Sequence, residues 1–349
     1  MAVSKKTIWI VAAVVIVAAA VVWPMLGKHS AVEVKKWPTQ DISVIVPYPP
    51  GGGTDLTVRT LAEEMAKELK VTMTVVNQPG ASGSVGTIGV WNKPHDGYTI
   101  AANGMLAFTS YPVMGYMPQT YKDWHIWIAT FSPNVVAVNA ANPKYANMKA
   151  LLDAMKEKPG QISAGTAGVG TGGHIGAEVI KAATKLQYKH VPYQGGAPAI
   201  VALLSNEVDY APQLSMEVVD MLRSGKLKGL AVLMDKPLKV SGMPDVPSIL
   251  DTVPGAKPYL PMGESFGIMV PKDTPPNVVQ AIDAAFKKAV QSETMKKFAE
   301  QKGIVILGLS GEEAQKYVAK LSSIVSWILY DDGIAKISPE KFGIPRLQQ

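Results

Sequence analysis

Three glycine-rich turns, each predicted to open a helix, constrain this chain more than any other feature. They read PYPPGGGTD over residues 47–55, NQPGASGS over residues 77–84 and GVGTGGH over residues 168–174. A helix that begins directly after glycines exposes backbone N–H groups and the positive end of its dipole, which together attract an anion. Three such turns with no catalytic signature beside them predict a protein that holds a small carboxylate or phosphate without transforming it.

Composition limits the classes of protein to consider. The 349 residues are enough for two domains, and 47% apolar against 18% charged residues favours a folded core. The net charge of +6 comes mainly from residues 1–36, which hold five lysines and one acid, so the remainder carries only +2. No basic run interleaved with aromatic residues follows, which argues against nucleic acid as a partner. The absence of cysteine excludes thiolate metal sites, a cysteine nucleophile and disulfides.

The N-terminus has the pattern of an export signal. Lys5 and Lys6 precede an apolar run from Ile8 to Trp23 that continues to Leu26. Its length is close to the roughly 20 residues that cross a bilayer, and no clear A-x-A cleavage site follows it. Residues 1–27 are therefore either a cleaved signal peptide or an uncleaved membrane anchor, and residues 28–40 form a spacer. Both alternatives place the body outside the cytoplasm.

The body alternates between predicted strands and helices, which favours α/β units around a largely parallel sheet. The first helix is amphipathic, with Thr54 or Asp55 as its cap, and residues 103–108 are interpreted as a loop. We expect two lobes, the second inserted into the first: residues 41–139 and 265–349 form lobe 1, and residues 140–264 form lobe 2. The main predicted strands cover residues 42–46, 71–76, 98–102, 135–139, 161–165, 188–191, 208–211, 227–233, 266–270 and 303–309.

Three motifs that resemble enzyme or nucleotide signatures lack the context those signatures need. The turn over residues 51–55 lacks the Gly-Lys-Ser/Thr ending of a nucleotide P-loop. Residues 168–173 fit G-x-G-x-x-G, but no acid for a ribose follows about 20 residues later. Residues 263–267 spell G-x-S-x-G, yet a strand, not a helix, is predicted after the serine. The sequence therefore predicts no enzyme and no cofactor.

Single side chains beside the turns are candidates for contact with a ligand. His174 follows the third turn and either contacts the ligand or caps its own helix; both alternatives stay open. The same holds for Asp55, since a capping residue can also line a pocket. Tyr48 and Tyr193 flank glycine turns and are the aromatic residues most expected in a cleft. The five histidines show no metal-ligand spacing, so no metal site is predicted.

Specific motifs now identify a resemblance. The chain resembles the extracytoplasmic solute receptors of tripartite tricarboxylate transporters, the TctC-like or Bug proteins. The resemblance extends from about residue 41 to the C-terminal helices. It is carried by P-x-x-P-G-G-x-x-D-x-x-x-R over residues 47–59, N-x-x-G-A-x-G over 77–83, D-G-Y-T over 96–99, G-x-G-[ST]-x-x-H over 168–174 and H-V-P-Y-x-G-G-A-P-A over 190–199.

The resemblance implies an α/β, two-lobed periplasmic-binding-protein fold of the Venus flytrap, type II-like class, with an N-terminal apolar leader. It implies that the first and third turns grip a ligand carboxylate and that the segment Tyr193–Gly196 completes the second wall. The ligand-binding residues expected by position are Tyr48, Gly52, Gly53, Thr54, Asp55, Ala81, Ser82, Gly83, Gly170, Thr171, His174, Tyr193 and Gly195.

The function implied by the resemblance is a monomeric receptor. It binds a small organic carboxylate and delivers it to the integral-membrane subunits of an ion-gradient-driven transporter. The alternative is a ligand-sensing periplasmic protein that signals to a membrane sensor kinase. The apolar character of residues 103–108, where the family has small hydroxylated residues, favours an aromatic or branched acid if that loop faces the cleft.

Overall fold

The computed structural model describes residues 36–346, so the leader predicted over residues 1–27 lies outside the described residues. The chain divides after Trp37, and all elements given below belong to the unit Pro38–Gln349. Within residues 36–346, no helix is both long enough and apolar enough to cross a membrane.

The elements follow one another in an irregular alternation of strands and helices. The strands are β1 (Ile42–Val46), β2 (Met73–Asn77), β3 (Thr99–Gly104), β4 (Trp124–Asn139), β5 (Ser163–Thr166), β6 (Lys189–Pro192), β7 (Ala211–Leu214), β8 (Leu227–Val232), β9 (Gly263–Pro271) and β10 (Val305–Leu309). The helices are α1 (Gly53–Leu69), α2 (Ser84–Trp91), α3 (Met105–Met114), α4 (Met148–Glu157), α5 (Gly172–Thr184), α6 (Gly196–Leu204), α7 (Ser215–Arg223), α8 (Pro276–Ala289), α9 (Glu293–Lys302) and α10 (Gly311–Asp331).

The main sheet is mixed, so the prediction of a largely parallel sheet is wrong. Its order is β10-β4-β9-β3-β1-β2, with β7 and β8 also paired to β4. Strand β1 is parallel to β2 and β3, whereas β9 is antiparallel to both β3 and β4. The chain leaves along β4 and returns along the neighbouring β9, and such a return produces an antiparallel pair. Strands β5 and β6 form a separate parallel pair.

Strand β4 is far longer than the predicted strand over residues 135–139. It pairs with β9 over Trp124–Pro133 and with β7 and β8 over Asn134–Asn139. Nearly all of its residues are buried, so its sequence shows none of the polar–apolar alternation of a half-exposed strand. The limits given above for the two lobes stay a prediction.

Local patterns predict some elements to the residue and miss others. The strand Ile42–Val46 and the helix Ser84–Trp91 are confirmed with the predicted bounds. The loop predicted over residues 103–108 is wrong, because these residues end β3 and form the first turn of α3. Residues Met105–Val113 are all buried, and a helix without a polar face has no amphipathic period. Helix α3 packs in the core, where Phe108 meets Trp124 edge to face at 6.0 Å.

Candidate functional site

The first glycine turn positions the start of α1. The N-cap is Gly52, which has no side chain, so the prediction that Thr54 or Asp55 caps the helix is wrong. The first intrahelical bond runs from the Leu56 N–H to the carbonyl of Gly52. The N–H groups of Gly53, Thr54 and Asp55 therefore have no partner inside the helix, which is the arrangement that attracts an anion.

The Asp55 carboxylate braces this turn from within. Its Oδ2 accepts the Gly51 N–H at 2.9 Å and the Arg59 Nε–H at 3.0 Å. Its Oδ1 accepts from Asn77 Nδ2 at 2.8 Å. Burial alone would raise the pKa of Asp55, but hydrogen bonds from Arg59, Gly51 and Asn77 together lower it below the ordinary value. The carboxylate is thus ionised and fully engaged with the protein.

The second turn joins the first through side-chain hydrogen bonds. Ala81 and Ser82 both have left-handed backbone angles, and the Ser82 carbonyl accepts from the hydroxyls of Tyr48 at 3.2 Å and Tyr111 at 2.9 Å. A Cβ at Gly83 would lie 2.6 Å from the Tyr111 hydroxyl, so only glycine fits there. Tyr48, Ser82 and Gly83 are therefore brought together.

The third turn repeats the bracing of the first with a different side chain. His174 Nδ1 accepts the N–H of Gly170 at 3.0 Å, and the first bond of α5 runs from Ile175 to the N-cap residue Thr171. The His174 ring is 1% exposed and stacks on His190 at 4.1 Å. Burial, followed by the nearby His190, lowers the pKa of His174 to about 3. The ring is therefore neutral at physiological pH and holds its own turn.

The segment Tyr193–Gly196 lies beside the third turn and opens α6. The N–H groups of Tyr193 and Gly195 donate to the carbonyls of Thr166 and Ala167. The Tyr193 hydroxyl donates to Glu207 at 2.8 Å. Turns one and two thus form one braced pair, and the third turn and the Tyr193 segment form another. No hydrogen bond within residues 36–346 links the two pairs directly.

Strand β9 is the element that both pairs approach. A Cβ at Gly53 would lie 2.5 Å from Cζ of Phe266, and a Cβ at Gly172 would lie 3.5 Å from Cβ of Glu264. Residues two apart on a strand face the same side, so the starts of α1 and α5 meet one face of β9. The structure thereby brings the helix starts after the first and third turns to a single strand.

Glu264 is a buried acid at this junction that the sequence did not identify. It is 6% exposed, and the N–H groups of Leu106, Ala107 and Ser265 donate to its carboxylate. Burial outweighs these hydrogen bonds and raises the pKa of Glu264 to about 8. The start of α3 is thus occupied by an acid of the protein itself.

Two further polar side chains near the turns were also missed. Gln213 is 0% exposed, and its Nε2 and Oε1 have no hydrogen-bond partner among the described residues. Glu217 is half-buried, but its Oε2 is enclosed and lacks such a partner. Neither residue belongs to a motif. The signal that could have identified Gln213 is its polar side chain within an otherwise apolar strand. Among the described residues, no cluster of three or more His, Cys, Asp or Glu is placed to hold a metal.

Comparison with known proteins gives a consistent result. A family model described as the tripartite tricarboxylate transporter family receptor matches residues 57–329. A UPF0065 protein of Bordetella pertussis is 28% identical over 302 residues, which cover 84% of this chain and 90% of the relative.

Solved structures resemble the chain over most of its length. The periplasmic binding protein BugD aligns with a TM-score of 0.72 at 27% identity, covering 86% of this chain and 99% of that structure. The R. palustris protein Rpa4515, solved with adipate, aligns with a TM-score of 0.73 at 25% identity, covering 86% and 99%. The two-domain α/β architecture of periplasmic binding proteins is therefore the fold of this chain.

Proposed function

The chain belongs to the tripartite tricarboxylate transporter family of receptors, and from this premise we propose that it captures a small organic carboxylate and delivers it to the integral-membrane subunits of an ion-gradient-driven transporter. As a member of a family of solute-binding receptors, it is not an enzyme. The receptor works in the periplasm as a monomer. The apolar leader directs it there, either as a signal peptide or as an anchor.

One observation carries the proposal: the starts of α1 and α5 are braced in the same way and face the same strand. Asp55 and His174 each accept the N–H of the residue four positions earlier, Gly51 and Gly170. This fixes the glycine turns while the first N–H groups of each helix stay outside the helical bonding pattern. Two fixed, positively polarised helix starts are suited to a carboxylate, and a relative solved with adipate supports that ligand class.

The ligand-contacting residues in this proposal fall into two walls. Tyr48, Gly52, Gly53 and Thr54 with Ala81, Ser82 and Gly83 form the first wall, and Gly170, Thr171, Tyr193 and Gly195 form the second. Asp55 and His174 contribute by holding their turns. Each helix start supplies about 0.3–1 kcal/mol, up to about 2 when partly buried. Micromolar binding requires about 8 kcal/mol, so closure of the lobes and burial of the ligand supply the rest.

A thermal-shift screen of the purified chain tests the proposal, with di- and tricarboxylates, aromatic acids and amino acids as the panel. A ligand at 100 times its dissociation constant stabilises the folded state by about 2.7 kcal/mol, which raises the melting temperature clearly. Thr171→Trp, which fills the start of α5, should abolish the shift. Thr252→Trp, exposed and outside the four segments, is the matched control. A folded protein that responds to no acid would contradict the proposal.

A further inference from the structure

The second wall of the site contains two acids placed against helix-start glycines. A Cβ at Gly196, the first residue of α6, would lie 2.6 Å from Oε1 of Glu217. Cβ of Glu264 lies beside Gly172, the first residue of α5, and its carboxyl carbon would lie 2.6 Å from a Cβ at Gly104. Glu217 therefore lies at the start of α6, and Glu264 lies between the start of α5, beside its Cβ, and the start of α3, which its carboxyl group occupies.

The side chain of Gln213 also lies at the start of α5, and it lacks hydrogen bonds. The Oε1 of Gln213 would lie 3.5 Å from a Cβ at Gly173, the second residue of α5. Gln213 is completely buried with both amide atoms unpartnered among the described residues, and the enclosed Oε2 of Glu217 is unpartnered as well. Buried polar groups in native proteins are normally paired, so the two oxygens are suited to accept hydrogen bonds from a ligand and Nε2 to donate one.

The two acids have no cationic partner, since no salt bridge to Glu217 or Glu264 occurs within residues 36–346. Burial raises the pKa of Glu217 to about 7 and that of Glu264 to about 8, and the charge of Glu217 contributes to the latter shift. Near neutral pH Glu264 is therefore mostly protonated and Glu217 partly so. A positively charged ligand group beside them would favour their ionised forms, whereas a further carboxylate would keep them protonated.

We propose that Glu217, Glu264 and Gln213 select carboxylates that also carry an ammonium group, such as amino acids. This inference rests on the proposed function, because it narrows the class of carboxylate that the same site accepts. An ammonium group supplies three donors, which match the Oε2 of Glu217 and the Oε1 of Gln213, and its positive charge favours the ionised form of the acids. The Nε2–H of Gln213 remains to donate to the ligand carboxylate.

Isothermal titration tests the proposal with two sets of ligands. The members of a set share one carbon skeleton and differ at one carbon. The two sets are succinate, malate and aspartate, and 3-phenylpropanoate, 3-phenyllactate and phenylalanine, which carry hydrogen, hydroxyl or ammonium at C2. In at least one set, we expect the amino member to bind the purified chain about tenfold or more tightly than the other two, as a charge-assisted hydrogen bond allows. Glu217→Gln should remove most of that preference, chiefly by weakening the binding of the amino member. Glu313→Gln makes the same charge change at an exposed position in the first turn of α10 and should behave as wild type.

The outcomes separate the two proposals. Equal affinity within each set, or tighter binding of the hydroxy acid, would overturn the selection of ammonium while the carboxylate receptor stands. A preference that survives unchanged in Glu217→Gln would also overturn it. Failure of every acid, substituted or not, to bind the folded wild-type chain would overturn the proposed function and this inference with it. Circular dichroism and the melting temperature confirm that each variant is folded, and Gln213→Leu provides a second variant that removes the amide and keeps an uncharged side chain.

Discussion

The carboxylate of Asp55 accepts the backbone N–H of Gly51, four residues earlier, at 2.9 Å. The ring of His174 accepts the N–H of Gly170 across the same interval at 3.0 Å. An acid and a neutral imidazole thus perform the same task at the starts of α1 and α5. The side chains differ, but each supplies an acceptor that fixes a glycine turn, and the following predictions depend on that geometry and on the acids nearby.

Asp55→Ala should destabilise the protein as well as weaken ligand binding. The substitution leaves the Gly51 N–H and Asn77 Nδ2 without their acceptor and removes the ion pair with Arg59. We expect the free energy of unfolding to fall by about 2–4 kcal/mol, measured by urea denaturation. Glu63→Ala on the exposed side of the same helix is the control. An unchanged unfolding midpoint in Asp55→Ala would show that the carboxylate does not brace the turn.

His174 should make the protein less stable in acid. Its pKa is about 3 in the folded chain, so between pH 6.5 and 3 the unfolded chain binds a proton that the folded chain does not. The free energy of unfolding should fall with decreasing pH by up to about 1.4 kcal/mol per pH unit from this group. Burial raises the pKa of Glu178 to about 7, which acts in the opposite direction, so the difference between variants is the informative quantity.

Urea denaturation at a series of pH values measures that difference. His174→Gln should lose less stability than wild type between pH 6 and 4, because glutamine keeps an acceptor and takes up no proton. His95→Gln, which changes a histidine paired with Asp273 at the surface, is the matched control. Parallel pH profiles of wild type and His174→Gln would contradict this assignment.

Glu264→Gln should stabilise the ligand-free protein at alkaline pH. The folded pKa of about 8 lies above the ordinary value of 4.5, so the contribution of Glu264 to stability is fully present below pH 4.5 and is lost as the pH rises through 8. Glutamine removes this dependence. We therefore expect the free energy of unfolding of the variant, relative to that of wild type, to be about 1 kcal/mol or more higher at pH 8 than at pH 5. Thermal unfolding of both proteins at both pH values measures this change. If Glu313→Gln showed the same change in stability between pH 5 and pH 8, the effect would belong to net charge and not to Glu264.

Gly53→Ala should disturb the junction between α1 and β9. The added Cβ would lie 2.5 Å from Cζ of Phe266 and 2.8 Å from Sδ of Met216, so the core must move to admit it. Overpacking of this kind costs about 1–3 kcal/mol, seen as a lower melting temperature and weaker ligand binding. Gly89→Ala in α2, where the nearest atom is 3.6 Å away, should be neutral or slightly stabilising. Equal melting temperatures for both variants would contradict the close approach.

The elements that the sequence predicted best are those whose signals are local. Strand β1 ends at Val46, directly before Pro47, and the helix Ser84–Trp91 follows a turn that requires left-handed angles, so both bounds follow from neighbouring residues. The loop predicted over residues 103–108 covers the first turn of α3, whose buried residues show no helical period. The full extent of β4 was missed for the same reason, since burial on both faces removes the alternation that marks a strand.

The sequence by itself determined the family, the α/β character and the three glycine turns, because motifs, periodicity and turn residues act over a few positions of the chain. Tertiary structure alone decided which groups meet at the turns. Glu264 accepts the N–H of Leu106 from 158 residues away, and Gln213 and Glu217 reach the starts of α5 and α6 through the pairing of β7 with β4 and the helix that follows β7. Such contacts depend on the order and direction of strands in a mixed sheet, which neighbouring residues do not encode.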